Sequence, residues 1–508
     1  MDRGRIRQVG ALATLVALAV LWVASGITSS VVFPSNSVAG ALVRETPGDV
    51  ATFFIELLGH WALRLSTLGA LAAAVALGAE ALVRIRSGER LRPYLAGFVL
   101  AGVAGLTAFV EPTAEVAPLW MSTSLLAAAL AYGSTATLLT VTSEEPDAPI
   151  VHDTGLTRRR VLKIGAGGAM ALALGGGVVG WILRKAGGPD RDVALVAPTA
   201  PATVPPRAPF PKIAGLTPEI TSVADHYQVD VNLVQPTVEA EGWTLSVLGA
   251  VEEPLEYTFD SLQQDFEVVE EFSVLACISN PVGGPLVGHS AWRGVRLKDV
   301  LVKAGARPGA VDVVFKAADG YTDSIPLEVA LDPSVLLAVG QNGEPLTREH
   351  GFPCRVRVPG IYGMKNVKWL QAIEVVERDY KGYWMKRGWS DSAVVKTQSR
   401  IDVAGDDGAA SVGTETWIAG VAWAGDRGVN KVEVSMDDGK SWEAAQLKEP
   451  INDLSWRLWA YRWTPASAGA IPVLCRATDG DGNVQSPEET EPHPAGAGGY
   501  HRLEVDVA

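Results

Sequence analysis

From residue 8 to residue 43 the chain carries no charged side chain, a run of 36 positions. A bilayer core is spanned by roughly 20 apolar residues in a helix, so the apolar stretch at 9–33 is long enough to cross one. A second apolar segment covers 57–83, with Arg64 and Glu80 near its ends, where long side chains reach the interface. A third covers 93–110 and a fourth 116–141, while a fifth at 164–183 is rich in Gly and Ala and only weakly apolar. The chain therefore opens with a four-helix transmembrane region over 1–150, and a fifth helix follows within 151–185.

Positive charge orients these segments. Arg3, Arg5 and Arg7 precede the first, Arg84, Arg86, Arg90 and Arg92 fill the loop after the second, and Arg158, Arg159, Arg160 and Lys163 precede the fifth. The loops on the other side, 34–56 and 111–115, hold one Arg and five acids. Lys and Arg stay on the cytoplasmic side. The N-terminus is then cytoplasmic and everything beyond the fifth helix lies outside the cytoplasmic membrane. The run Thr157-Arg158-Arg159-Arg160-Val161-Leu162-Lys163, with its weakly apolar sequel and Arg184-Lys185, resembles a twin-arginine export signal. An ordinary cluster of cytoplasmic anchor charges is the plainer alternative. The twin-arginine route carries folded proteins, so this signal suggests a cofactor in the exported part. His60 is the only histidine in 1–150, and a b-type haem takes paired ligands, so His60 reads as an interfacial polar residue.

Residues 1–190 hold 15 Lys/Arg and 13 Asp/Glu, and residues 191–508 hold 28 and 44, a net of −16. That acidity excludes a nucleic-acid binder, which needs a basic face. Three cysteines exclude a disulfide scaffold and a four-cysteine iron–sulfur cluster. A Pro/Ala-rich linker covers 186–214. From 215 to 396 short strands and helices alternate, an α+β pattern. Residues 300–304 and 327–337 read as helical, Asn342-Gly343 as a turn, and 354–358 as a strand with Arg355 and Arg357 on one face. Over 397–508, strand-like runs at 416–422, 431–435, 458–463, 471–477 and 502–507, with Asp438-Gly439 as a hairpin signal, predict a β-sandwich of immunoglobulin type.

Cys277 ends an apolar strand-like run, Phe272 to Ile278, and faces the loop Ser279-Asn280-Pro281-Val282-Gly283-Gly284. A cysteine so placed can present sulfur to a ligand; taken alone, the buried free cysteine is the preferred reading. Cys354 and Cys475 sit inside regular strand patterns and read as core.

Several ordered motifs decide between these readings. Cys277-Ile278-Ser279-Asn280, Gly283-Gly284 and Trp292-Arg293-Gly294-Val295-Arg296-Leu297 resemble the molybdopterin domain of the sulfite oxidase family. The likeness continues through Asn342-Gly343-Glu344-Pro345-Leu346, His350-Gly351-Phe352-Pro353, Arg355, and Pro359-Gly360-Ile361-Tyr362-Gly363-Met364-Lys365-Asn366-Val367-Lys368-Trp369-Leu370. It extends to Tyr380-Lys381-Gly382-Tyr383-Trp384 and Gly388-Trp389-Ser390. The C-terminal sandwich is similar to the family's dimerisation domain. This resemblance, over about 215–508, implies a Mo-molybdopterin cofactor with Cys277 as the protein's thiolate on the metal, a soft ligand suited to molybdenum. It implies that His350 and Arg355 hold the pterin and its phosphate, that Asn366 and Lys368 lie on a loop closing over the same group, and that Tyr227, in Asp225-His226-Tyr227-Gln228, belongs to the N-terminal cofactor segment. Asp319 is a weaker candidate. Relative to the family's pattern, Pro281-Val282 and Gln228 stand where arginines surround an oxyanion, and Val339 stands near an active-site tyrosine.

The chain reads as a multidomain protein: N-terminal transmembrane α-helices, an α+β sulfite-oxidase-type molybdopterin domain, and a C-terminal Ig-like β-sandwich. The expected function is two-electron oxygen-atom transfer on a small substrate, outside the membrane. A separate cytochrome or quinone-linked partner carries electrons, and the chain is a homodimer. The alternative is a non-catalytic surface binding module with a degenerate pterin fold. Arg158→Lys with Arg159→Lys is expected to leave 190–508 in the cytoplasm. Protease added to intact spheroplasts then spares a domain that it digests in the parent, and equal digestion of both ends the twin-arginine reading.

Overall fold

A computed structural model describes residues 3–27, 33, 61–84, 92–108, 118–141, 193–232, 235–406 and 408–508. The run at 157–163, the fifth apolar segment, His60 and most of the loops used for orientation lie outside the described residues. The chain divides into two compact units, one formed by 1–189 with 230–237, the other by 190–229 with 238–508.

In the first unit the described residues include four helices: Arg3–Ile27, Trp61–Arg84, Arg92–Ala108 and Pro118–Val141. Small residues let them approach closely. A Cβ on Gly10 would lie 2.8 Å from the Ala79 backbone, and one on Gly97 would lie 2.5 Å from the Ala129 carbonyl. Tyr132 donates to the Gly78 carbonyl at 2.8 Å, and Arg7 pairs with Glu80 at 3.1 Å. Leu68, Leu77, Phe98 and Val103 face outward. Two of the helices, over Arg3–Ser25 and Thr67–Arg84, are long and apolar enough to cross a membrane by length and composition.

The second unit begins with the α+β part. Strand Thr244–Gly249 pairs in parallel with Leu370–Val376 and antiparallel with Leu255–Thr258, and strands Asp312–Ala317 and Thr322–Pro326 complete a five-stranded sheet. A second sheet runs Val268–Ala276, Val287–Arg296, Leu336–Gln341, with Glu344–Pro345 and Arg355–Arg357 both paired to the last of these. The Asn342-Gly343 turn is a two-residue hairpin with φ of 52° and 85°, the left-handed pair that such a turn demands.

Helix Leu297–Ala304 is longer than its sequence signal, and ends at Gly305, whose φ is 66°. The expected helix over 327–337 is only Leu327–Ala330, because Pro333 cannot continue it. Asp332 instead accepts from the Ser334 amide and hydroxyl at 2.8 and 2.6 Å, a tight turn that launches strand Leu336–Gln341.

The C-terminal part is a two-sheet sandwich. One sheet contains Gln398–Ala404, Thr416–Trp423, Gln446–Leu447 and Arg457–Trp463; the other contains Ala409–Ala410, Val429–Ser435, Glu443–Ala444, Gly469–Asp479 and His501–Val507. Ile401, Ile418 and Trp459 from the first meet Val432, Val473, Cys475 and Val505 from the second. The strand Gln398–Ala404 carries a weak sequence signal, because its alternation of Arg400, Ile401, Asp402 and Val403 covers only four positions after a polar run.

Cys354 and Cys475 are fully buried among aliphatic and aromatic residues. Burial pushes both thiols up, Cys475 to about 12, so both stay protonated at neutral pH. Cys354→Ser and Cys475→Ser are each expected to lower unfolding stability by about 1–3 kcal/mol, the cost of a hydroxyl in an apolar site, measured by denaturant titration.

Candidate functional site

Strand Val268–Ala276 delivers Cys277 to its C-terminal end with every residue from Phe272 to Cys277 buried. The loop that follows folds back on itself. The Cys277 amide donates to the Leu286 carbonyl at 2.9 Å, the Asn280 amide to the Cys277 carbonyl at 3.2 Å, and the Leu286 amide to Asn280 Oδ1 at 2.8 Å. Sγ of Cys277 lies 3.0 Å from Ser279 Oγ. Burial raises the thiol's pKa. Without a metal the sulfur is an inert thiol; metal coordination would reverse that.

Segment 221–228 runs beside the second sheet, with the Thr221 amide bonded to the His289 carbonyl at 2.8 Å. It places His226 in the interior, stacked on Tyr227 at 5.4 Å between centroids and edge-on to His350 and Trp292 at 5.4 and 5.7 Å. Gly288 makes room for it, since a Cβ there would fall 2.7 Å from the His226 ring. The Tyr227 hydroxyl reaches the Gly363 backbone in the same way, where a Cβ would lie 2.6 Å from it. Burial and the nearby Cys277 raise the Tyr227 phenol, so it is a neutral hydroxyl.

Strand Arg355–Arg357 carries the charge. Both guanidiniums lie over the buried Trp292 ring, at 5.1 and 5.9 Å from its centroid. Arg355 donates to the carbonyls of His350 and Asn366 at 3.0 and 3.1 Å. Arg357 donates to the Val358 carbonyl at 2.7 Å, to Asn366 Oδ1 at 2.8 Å and to the Val274 carbonyl. Burial, then repulsion from Arg355, lowers Arg357 to about 9, still charged at neutral pH. His350 is lowered to about 4, by burial first and Arg355 among the opposing cations. It is therefore neutral, and since its Nε2 sits 2.9 Å from the Val223 carbonyl, that nitrogen carries the proton.

Asn366 is a buried crosslink: its amide nitrogen donates to the Ile361 and Tyr362 carbonyls and its oxygen accepts from Arg357 and the Val358 amide. Lys368 is half-buried, donating to the Glu349 carbonyl at 2.9 Å and lying over Trp369. Asp319 accepts from the Tyr321 amide at 2.9 Å, which holds the turn between two strands.

Tyr227, His350, Arg355 and Asn366 are therefore drawn together. His226, Trp292 and Arg357 are further members that sequence reasoning did not nominate. The signal for Arg357 was present, because two arginines one residue apart on a strand share a face. These side chains suit an anionic, polar cofactor. Two adjacent buried cations call for a phosphate, and the buried His226 Nε2 and Arg357 Nε have no hydrogen-bond partner among the described residues. A lone thiol at the strand end adds a soft donor.

Comparisons with known proteins indicate a molybdopterin cofactor. Residues 232–384 match an oxidoreductase molybdopterin binding domain and 383–506 a Mo-co oxidoreductase dimerisation domain. The chain is 32% identical to sulfite oxidase from Gallus gallus over 357 residues, covering 60% of this chain and 76% of that protein. It is 35% identical to mitochondrial sulfite oxidase from Rattus norvegicus over 258 residues, and spans about half that relative's length, 47%. Nitrate reductase from Hordeum vulgare is 31% identical, over 46% of this chain and 32% of its own. The sulfane dehydrogenase SoxCD from Paracoccus pantotrophus shares the fold, with a TM-score of 0.50 at 22% identity over 57% of this chain and 82% of that one. The chain belongs to the sulfite oxidase family of molybdopterin oxidoreductases.

Cys277→Ser is expected to abolish the sulfur-to-molybdenum charge-transfer absorption of the oxidised protein while leaving most of the pterin bound, since a hydroxyl is harder and far less acidic than a thiol. Pterin fluorescence after acid release measures the second quantity. If Cys354→Ser loses the band and Cys277→Ser keeps it, the wrong sulfur has been assigned.

Proposed function

We propose that this protein is a membrane-anchored molybdopterin oxidoreductase, acting outside the cytoplasmic membrane, that transfers an oxygen atom to or from a small sulfur compound less charged than sulfite. The observation that carries the reading is the buried pair Arg355 and Arg357 over Trp292, close to the strand that ends in Cys277. The bonding of Arg357 to the Val274 carbonyl ties the cations to that strand. Molybdenum supplies two-electron redox chemistry and oxygen exchange when bound. Cys277 is its protein ligand, Arg355 and Arg357 hold the phosphate, His350 and Tyr227 contact the pterin as neutral groups, and Asn366 and Lys368 fix the closing loop.

The substrate reading rests on charge. Val339 is buried in the core, Gln228 is exposed and uncharged, and Pro281-Val282 offer no cation. A dianion would lack the charge-assisted bonds that hold it. The outward-facing leucines of the N-terminal helices support the anchor. The domains follow as a transmembrane region over 1–150, a signal and helix over 151–185, a linker over 186–214, a catalytic domain over 215–396, and an immunoglobulin-type dimerisation domain over 397–508. Electrons pass to a separate cytochrome or quinone-linked partner.

The purified protein from molybdate-supplied cells is expected to hold molybdenum near one atom per chain. Its ferricyanide-linked oxidation of sulfite is expected to be slower than its viologen-linked reduction of methionine sulfoxide, since a dianion lacks two charged contacts. No molybdenum ends the enzyme reading; faster turnover of sulfite ends the substrate reading. Sedimentation of the detergent-solubilised chain is expected to show a dimer joined through 397–508, and a strict monomer at micromolar concentration refutes it.

A further inference from the structure

The C-terminal sandwich does more than offer a surface for pairing. It grips the chain on both sides of Cys277. On the strand side, the Val274 amide donates to the Leu454 carbonyl at 3.0 Å and Asn452 donates to the Phe272 carbonyl at 2.8 Å. On the loop side, the His501 ring fills the space over Gly283, where a Cβ would lie 2.3 Å from it, and Gly283 has a φ of 75°.

The polar contact on that side is Arg400. Its guanidinium reaches three acceptors from three directions: Nη1 donates to the Gly284 carbonyl at 3.1 Å, Nη2 to Thr217 Oγ1 at 2.9 Å, and Nε to Asp402 Oδ1 at 2.6 Å. Its side chain is only 13% exposed. The pull is transmitted inward, because Gly284 donates to the Pro281 carbonyl at 2.9 Å, and the Asn280 and Leu286 bonds close the loop on Cys277. A glycine-rich loop has little stiffness of its own. Something outside it must fix where the sulfur sits.

We propose that Arg400 is a positioning residue for the metal thiolate: through the Gly284 carbonyl, the C-terminal sandwich sets the place and orientation of Cys277 Sγ. The inference rests on the reading of Cys277 as the molybdenum ligand. The guanidinium is needed for its planar fork, since a lysine ammonium on a flexible stem cannot keep three divergent acceptors in fixed geometry. Arg400 touches neither metal nor substrate in this account, and acts only through the loop.

The test uses the full-length protein carrying its molybdenum, with Arg400→Met, Arg400→Lys and Thr217→Val beside the parent. Three quantities are read: molybdenum content, thermal midpoint, and the energy and width of the sulfur-to-molybdenum absorption together with the Mo(V) electron paramagnetic resonance spectrum. Arg400→Met is expected to keep its molybdenum but show a shifted and broadened band and a heterogeneous Mo(V) signal. Arg400→Lys is expected to fall between it and the parent, and remains informative if the methionine variant does not fold. Thr217→Val keeps the Gly284 contact, and is expected to lower the thermal midpoint with the parent's spectra. If both Arg400 variants melt lower yet keep the parent's spectra, Arg400 is a structural tie only and the proposal is overturned. A parent without molybdenum overturns this proposal and the functional reading together, whereas unchanged spectra in a molybdenum-loaded variant overturn this one alone.

Discussion

Two guanidinium groups buried over a single indole impose the condition that the rest of the molybdopterin domain satisfies. Removing a cation from water is expensive, and placing two side by side adds repulsion. Arg357, lowered to about 9 by burial and by Arg355, still keeps its proton at neutral pH. Dipoles among the described residues help to meet that cost: the carbonyls of Val358, Val274, His350 and Asn366, the Asn366 amide oxygen, and the face of Trp292. An anion bound there would do much better than dipoles. The same linkage means that a bound phosphate stabilises the folded chain over the unfolded one. His350 is neutral first because it is buried, and the positive charge of Arg355 and Lys368 opposes its protonation further. A phosphate held there would balance the charge of the two arginines.

Much of this was legible in the residues. The alternation of Cys354 to Val358 assigned the two arginines to one face and the cysteine to the other, as found. The apolar run into Cys277 marked a strand ending at a glycine-rich loop. The Asn342-Gly343 signal marked a two-residue hairpin. What sequence could not supply was the convergence of distant segments. His226 meets Trp292 because strand Val287–Arg296 lies beside segment 221–228, and His350 turns toward the Val223 carbonyl, 127 positions away. Nothing local to those residues predicts either contact. The failed helix over 327–337 has the opposite cause: Pro333 was a local breaker, outweighed in the reading by the apolar residues around it. The strand Gln398–Ala404 was weakly marked for a third reason: Arg400 and Asp402 alternate with Ile401 and Val403, but only over four positions that follow the polar run Lys396 to Ser399.

Family membership fixes the cofactor more firmly than the substrate. Of the residues proposed to hold the pterin, His350, Arg355 and Asn366 sit in the buried, hydrogen-bonded interior, which leaves little room for change. The positions where this chain departs from the family's pattern are those the resemblance assigns to an oxyanion. Residue 339 shows the difference. It lies on strand Leu336–Gln341, which also aligns Arg355–Arg357 through its pairing, yet its side chain is fully buried in the aliphatic core. A valine there can stiffen the strand that supports the cations, but it contributes no hydroxyl to an oxyanion.

The net charge of residues 191–508 acts in the same direction as those local departures. Residues 191–508 carry a net of −16, while Arg355 and Arg357 are enclosed and Lys365 is neutralised by Asp323 and Asp391. Screening limits the reach of surface charge to about 8 Å at physiological ionic strength. Within that distance an acidic exterior lowers the local concentration of a small dianion and slows its approach, and a substrate of low charge is unaffected. The proposed substrate, of lower charge than sulfite, meets no such barrier. Arg355 and Arg357 are buried, and on the same proposal they would hold the cofactor phosphate.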